Sequence, residues 1–181
     1  MASGSHVADS GFIGRPDSSE AAPYYFTYID KVPAGDIKAV LKKQLTDITT
    51  FLETISEEKS LSRYAQGKWS IRGVLNHIND TERVFAFRAM WFARKLGIPL
   101  PSFDQDVAVK HSAADAVRWS DHIEEFRQVR LATISLFENL EGEAWMRTGT
   151  ASEKPFSVRA MAYIIAGHAE HHVIGIRENY L

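Results

Sequence analysis

The chain has 181 residues, 45% of them hydrophobic, and a formal net charge of −2, which suits one domain with an ordinary buried core. That charge, with no run of Lys or Arg, argues against a nucleic-acid-binding surface, which needs a basic patch. With no cysteine, disulfides, thiolate zinc ligands and a cysteine nucleophile are excluded, and the chain fits a reducing, cytoplasmic setting.

Residues 1–23 are rich in Ser, Gly, Ala, Asp and Pro and read as a flexible N-terminal arm. Residues 1–16 lack the apolar run of a signal peptide, and no stretch approaches the roughly 18 apolar residues of a membrane span. His6, within the arm, is given no role. Residues 24–29, aromatic and short, are expected to lie against the rest of the chain as a clamp, with no strand partner. A first helix is expected over about 36–56, where Ile37, Val40, Leu41, Leu45, Ile48, Phe51, Leu52 and Ile55 mark one buried face and Asp36 is the N-cap. A second follows Ser70 and runs to about Leu96, with Ile71, Val74, Leu75, Ile78, Phe85, Ala89 and Phe92 inward and Gly97 and Pro99 as stops. Residues 97–111 read as the one long internal loop. A third helix over about 112–140 turns Trp119, Ile123, Phe126, Val129, Ile134 and Phe137 inward and ends before Gly142. Residues 141–156 read as a second connection, and a fourth helix runs from Ser157 nearly to the C-terminus. With no strand alternation in competition, the reading is all-α: an antiparallel four-helix bundle over 24–181.

Seven histidines are present. At about 100° per residue, His168 and His172 fall in the middle of the fourth helix's apolar stripe of Val158, Met161, Ile165 and Ile176. Four apart, they share one face. Alone, the pair is open to two readings: core imidazoles with one hydrogen bond each, or two ligands of one metal ion. Imidazoles in an apolar stripe are costly unless their nitrogens are satisfied, which a metal achieves. His171 points aside. Glu170 points outward, so His168-Ala169-Glu170-His171-His172 is not the zincin motif. His77, on the flank of the second helix shared with Thr81, Val84 and Arg88, is the third candidate. Three imidazoles facing one point leave a coordination position open for water or substrate. His122 reads as a hydrogen-bonded core histidine or a fourth ligand, and His111 as a pocket-rim residue. Glu82 and Arg130 both face inward. They read as a buried ion pair, with the alternative that Glu82 accepts a ligand histidine's N–H or moves protons. Arg88 reads as the holder of an anionic substrate group or as a snorkelling arginine.

Gly67-Lys68-Trp69-Ser70-Ile71-Arg72-Gly73-Val74-Leu75-Asn76-His77, followed by Asp80-Thr81-Glu82-Arg83-Val84-Phe85, resembles the second-helix signature of the DinB/YfiT-like superfamily. Ser157-Val158-Arg159-Ala160-Met161-Ala162-Tyr163-Ile164-Ile165-Ala166-Gly167-His168, with His171-His172, resembles its last-helix signature. The loop from Gly97 to Asp106 and the stretch Arg147-Thr148-Gly149-Thr150-Ala151 are similar to further family pieces, so the resemblance covers about residues 11–181. It implies a four-helix bundle with a three-histidine site for nickel, zinc, iron or a similar divalent ion, and carried over residue by residue the ligands are His77, His168 and His172. It also implies an activity among those of the family: thiol S-transfer using bacillithiol or mycothiol, a thiol-dependent isomerisation, or metal-dependent hydrolysis.

The expected function is therefore a divalent-metal-dependent enzyme on a small molecule, first of all a thiol S-transferase. A metal on three histidines lowers the pKa of a bound thiol, and a chain without cysteine takes that thiol as a low-molecular-weight co-substrate. A hydrolase using metal-bound water is the alternative. A non-catalytic metal-binding or stress-associated bundle is a further one, and a homodimer through the outer aromatics Phe87 and Trp91 is compatible with each. No nucleic acid or membrane partner is expected.

Overall fold

A computed structural model describes residues 11–181. Four long helices carry the fold: α2 (Ile37–Glu53), α3 (Ile71–Ala93), α5 (Trp119–Glu138) and α6 (Val158–Asn179), with the short helices α1 (Phe26–Ile29) and α4 (Gln105–His111) between or before them. Three of the long helices begin on a side-chain cap that takes up an otherwise orphaned backbone N–H. Asp36 accepts from the Lys38 N–H, Ser70 from Gly73 and Ser157 from Ala160.

The neighbours in the bundle are not the neighbours in sequence. α3 packs against α6 and α5, and α2 against α5 and α6. Consecutive α2 and α3 therefore stand across a diagonal, as do α5 and α6. α3 runs antiparallel to α6: at its start the Trp69 carbonyl accepts from the Tyr180 hydroxyl at 2.9 Å. α2 runs antiparallel to α5, with Lys42 paired to Glu138 and Glu53 to Arg127. The two remaining neighbouring pairs run parallel. Asn79 meets Glu125 and Glu82 meets Arg130 along α3 and α5, while Gln44 meets Glu170 and Phe51 meets Arg177 along α2 and α6. Parallel neighbours need a connection that returns the length of the bundle. Residues 94–118 make that return alongside α3, passing Arg88, whose Nη2 donates to the Pro101 carbonyl at 2.8 Å, and then Gly73, which Val109 overlies.

Several local expectations are corrected. The stretch 97–111 is not all loop, because Asp104 caps α4 by accepting from the N–H groups of Asp106 and Val107. The third long helix begins at Trp119 rather than 112. Ala113 is left-handed (φ 52°), a single 3₁₀ turn follows, and the carbonyls of Asp115 and Val117 accept from the buried Arg72 guanidinium instead of feeding a helix. The second connection holds a hairpin of β1 (Thr148–Ala151) and β2 (Lys154–Ser157), with Gly149 opposite Phe156. Its turn residues Ser152 and Glu153 both have positive φ, the geometry usually supplied by Asn-Gly. Leu100 bridges to the free side of β1. Gly149 is required there, since a Cβ would stand 2.0 Å from the Phe92 ring.

Of the stretch read as an arm, residues 1–10 lie outside the described residues. Residues 11–23 lie along the bundle. Arg15 donates to the carbonyls of Ile29 and Val32, each at 2.6 Å, and the buried Glu20 carboxylate accepts from Ser157 Oγ at 2.6 Å and from Arg159. Residues 24–29 form a 3₁₀ turn and α1, laid on α6. Gly167 makes that approach possible, because a Cβ at this position would stand 2.0 Å from the Tyr28 carbonyl oxygen. Among the described residues no helix is long and apolar enough to cross a membrane.

The core has two apolar halves. One gathers Ile37, Leu41, Phe85, Phe92, Phe137 and the first two turns of α6; the other gathers Ile48, Leu52, Ile71, Leu75, Phe126, Val173 and Ile176. Between them lies a waist of buried polar side chains: Gln44, His77, Thr81, Glu82, Arg130 and His168.

Candidate metal centre

The histidine cluster occupies one side of this waist. His77 stands on the second turn of α3, and His168 and His172 on successive turns of α6. Because α3 and α6 are antiparallel neighbours, the three rings converge. His77 Nε2 lies 3.0 Å from His168 Nε2, and His172 Nε2 lies 3.1 Å from the same atom. One ring nitrogen from each lies within 4.8 Å of the others. Nitrogens about 2.0–2.1 Å from a shared zinc stand roughly 3.3 Å apart in tetrahedral geometry, close to the two separations from His168 Nε2.

Proton bookkeeping explains why these nitrogens suit a cation. A neutral imidazole nitrogen carries either a proton or a lone pair. His168 Nε2 can therefore meet both neighbours only as a shared donor or only as a shared acceptor. A cation at the meeting point takes all three lone pairs at once. That leaves each ring's proton on Nδ1, and His77 Nδ1 has an acceptor placed for it, Thr81 Oγ1 one turn along α3 at 3.3 Å. Such a partner fixes the tautomer of a ligating histidine.

The surroundings keep the rings neutral, the state in which imidazole ligates. Burial, then the nearby His171, lowers the His77 pKa to about 4. Burial, then His77 and His171, lowers that of His172 to about 3. Burial, then the other three histidines, holds His168 well below its ordinary value. Aromatic rings wall the cluster: Trp69 lies 5.1 Å from the His77 ring, and Tyr28 stands edge-on to His168 at 5.3 Å and to His171 at 5.4 Å.

Two cavities reach the cluster from different sides. One of about 570 Å³ is lined by His172, His171, Trp69, Tyr64, Lys68 and Lys31 among others. The second, of about 100 Å³, is bounded by His168, Thr81, Arg88, Phe85 and the tyrosines of the α1 segment. The returning connection 94–118 contributes to both, with Asp106 at the first and Phe103 and Gln105 at the second.

The other sequence candidates fall elsewhere. His122 is a core histidine: its Nε2 lies 2.9 Å from the Ala114 carbonyl, and it is outside the cluster. His111 is exposed at the end of α4. Glu82 forms the buried ion pair expected of it, both its carboxylate oxygens accepting from Arg130 at 2.8 Å, and among the described residues it makes no hydrogen bond to a histidine. The Arg130 Nη1 donates to Gln44 Oε1 at 3.1 Å, which closes that network. Arg88 does not snorkel. It is 4% exposed and lines the smaller cavity. Of the outer aromatics, Phe87 is exposed, while Trp91 donates its indole N–H to the Ile98 carbonyl at 3.0 Å.

Sequence reasoning did not assign Thr81, Trp69 or Tyr28 to the site. Thr81 had a signal, standing four residues after His77 on the same helix face. The other two depend on the diagonal topology and on the clamp, which periodicity does not report.

Comparison with known proteins places this arrangement. YfiT from Bacillus subtilis, described as "a probable metal-dependent hydrolase with an unusual four-helix bundle topology", superposes with a TM-score of 0.70 at 15% identity, over 90% of this chain and 89% of that one. At that identity the likeness is one of fold, and no curated protein matches the chain. The family model described as the DinB superfamily matches residues 40–174. That span runs from the first turn of α2 through both histidines of α6, and the chain belongs to the DinB superfamily.

Proposed function

We propose that this protein is a divalent-metal-dependent enzyme acting on a small molecule, with His77, His168 and His172 as its ligands and a low-molecular-weight thiol as its co-substrate. The observation that carries the reading is the convergence of three neutral imidazoles, His77 and His168 buried and His172 half-buried, on one point. A divalent ion held there lowers the pKa of a thiol or a water and polarises an electrophile. The chain's own residues supply the rest. Thr81 holds the His77 tautomer, Trp69 and Tyr28 exclude water from the imidazoles, and α1 closes over His168 and His171.

Two cavities of unequal size favour a two-substrate reaction. The larger one, rimmed by Lys31 and Lys68, has room for a thiol cofactor, and the smaller suits a compact electrophile. The thiol must come from outside, since the chain has no cysteine. A second reading, hydrolysis, is favoured by the description of YfiT and needs only one of the cavities.

The test is turnover of an alkyl halide and of an ester by nickel- or zinc-loaded protein, with and without bacillithiol. Loss of the halide that requires both metal and thiol supports S-transfer. Metal-dependent ester cleavage without thiol supports the hydrolase. Turnover indifferent to metal contradicts both.

A further inference from the structure

Three arginines are buried among the described residues, and two of them are paired with a carboxylate. Arg72 donates to Ser60 Oγ, to the carbonyls of Asp115 and Val117, and to Glu57. Arg130 is locked to Glu82 and Gln44. Arg88 differs. Its bonds to described residues come from Nη2 alone, to the Pro101 carbonyl at 2.8 Å and Ser152 Oγ at 3.2 Å. No carboxylate among the described residues lies within ion-pair distance of it, and its guanidinium lies over the Phe85 ring at 5.3 Å. A guanidinium has five N–H donors, so the Nε and Nη1 hydrogens have no protein acceptor among the described residues. A cation taken out of water without a counter-charge is costly.

The space it borders is the cavity of about 100 Å³ that ends at His168. No acidic side chain lines that cavity. Its walls are otherwise aromatic or neutral: Tyr25, Tyr28, Phe85, Phe103, Ile164 and Thr81 are among them. A cavity of about 150 Å³ accommodates benzene, so this one takes something shorter. With both Nη2 hydrogens taken, the free Nε–H and Nη1–H groups lie on different edges of the guanidinium, and each can give an anionic oxygen one charge-assisted hydrogen bond beside the unpaired positive charge.

We infer that this cavity receives a small organic carboxylate, its anionic end held by Arg88 and its other end directed at His168. The binding claim concerns Arg88 alone; the claim that the bound molecule then reacts rests on the metal-dependent reading above. Arg88 is thus a specificity-determining residue, selecting small anions over neutral molecules of the same shape. Ser152 and Pro101, which hold Nη2, fix the guanidinium from the hairpin turn and the returning connection, elements that lie outside the four-helix frame.

The test uses the zinc-loaded full-length protein, titrated with propionate and with its neutral isostere propionamide, while NMR follows the Arg88 Nε–H and the amides of Ser152 and Gln105. Propionate is expected to shift these signals saturably and propionamide to bind at least about tenfold more weakly. Arg88→Gln should lose the propionate response, and Arg88→Lys should retain it in weakened form. The inference is overturned if propionate leaves the signals unmoved, if propionamide binds as well, or if Arg88→Gln binds propionate with unchanged affinity. The two isosteres are compared on the wild-type protein, so the result stands even where a variant fails to fold. Zinc content measured on the same samples separates the two readings. Protein that retains no zinc but selects propionate through Arg88 contradicts the metal reading alone, and zinc-replete protein that ignores propionate contradicts this one alone.

Discussion

The Glu82–Arg130–Gln44 cluster and the His77–His168–His172 cluster lie at the same level of the bundle, both in positions that helix periodicity would assign to apolar core. In the first, each charged group meets its complement: two carboxylate oxygens against a guanidinium fork, with an amide oxygen on a third donor. In the second, three nitrogens of the same kind face one another, and their protons can be placed only with one N–H or one lone pair shared between two partners. One level of the bundle thus holds opposite chemistry. A closed polar network specifies which helices meet and in what register. An open one, made of like groups, specifies something that is to come between them.

The comparison can be broken most forcefully at the closed network. Glu82→Ala leaves Arg130 buried without its partner and should cost about 3–5 kcal/mol, read as a lower urea midpoint, while zinc stoichiometry in the folded fraction stays as in the wild type. Loss of zinc from folded Glu82→Ala protein would show that the clusters act as one. The pH dependence of the metal-free protein sharpens the contrast next. The three cluster histidines are held below the ordinary histidine value, mainly by burial, so over that interval the unfolded chain binds more protons than the folded one. Stability should be fully present above about 6.5, the ordinary value. It should fall as the pH drops through that value, and go on falling to about 4 for His77 and about 3 for His172. Thermal melts in the presence of a chelator measure this, and a flat profile between those limits would contradict it. The smallest effect is expected at Thr81→Val, which removes the Nδ1 partner of His77 and should weaken metal affinity about 10–100-fold without unfolding the protein. Competition with a chromophoric chelator reads that change.

Much of this was legible in the sequence, for reasons that differ between elements. The caps Asp36, Ser70 and Ser157 and the stripes they introduce are local, and the helices α2, α3 and α6 start where those residues indicate. The facing of Glu82 and Arg130 was also local, since each is fixed by its own helix. The convergence of His77 with the α6 pair needed the helix order as well, which α2 and α3 lying diagonally makes hard to read. What escaped is non-local. The hairpin turns on Ser152 and Glu153, whose side chains give no sign of positive φ. The start of α5 is set by Arg72, far earlier in the chain. The packing of residues 11–23 depends on one buried carboxylate, Glu20, meeting Ser157 and Arg159.

The central claim is that the open cluster is a metal site, and the metal-to-protein ratio tests it most directly. Full-length protein is loaded with zinc or nickel, freed of excess by desalting and analysed for metal beside His172→Ala. The account requires about one equivalent in the wild type and a large loss in a variant that remains folded. Wild-type protein that retains no metal, or a His172→Ala variant that retains it fully, would show the three histidines to be core residues and contradict the account.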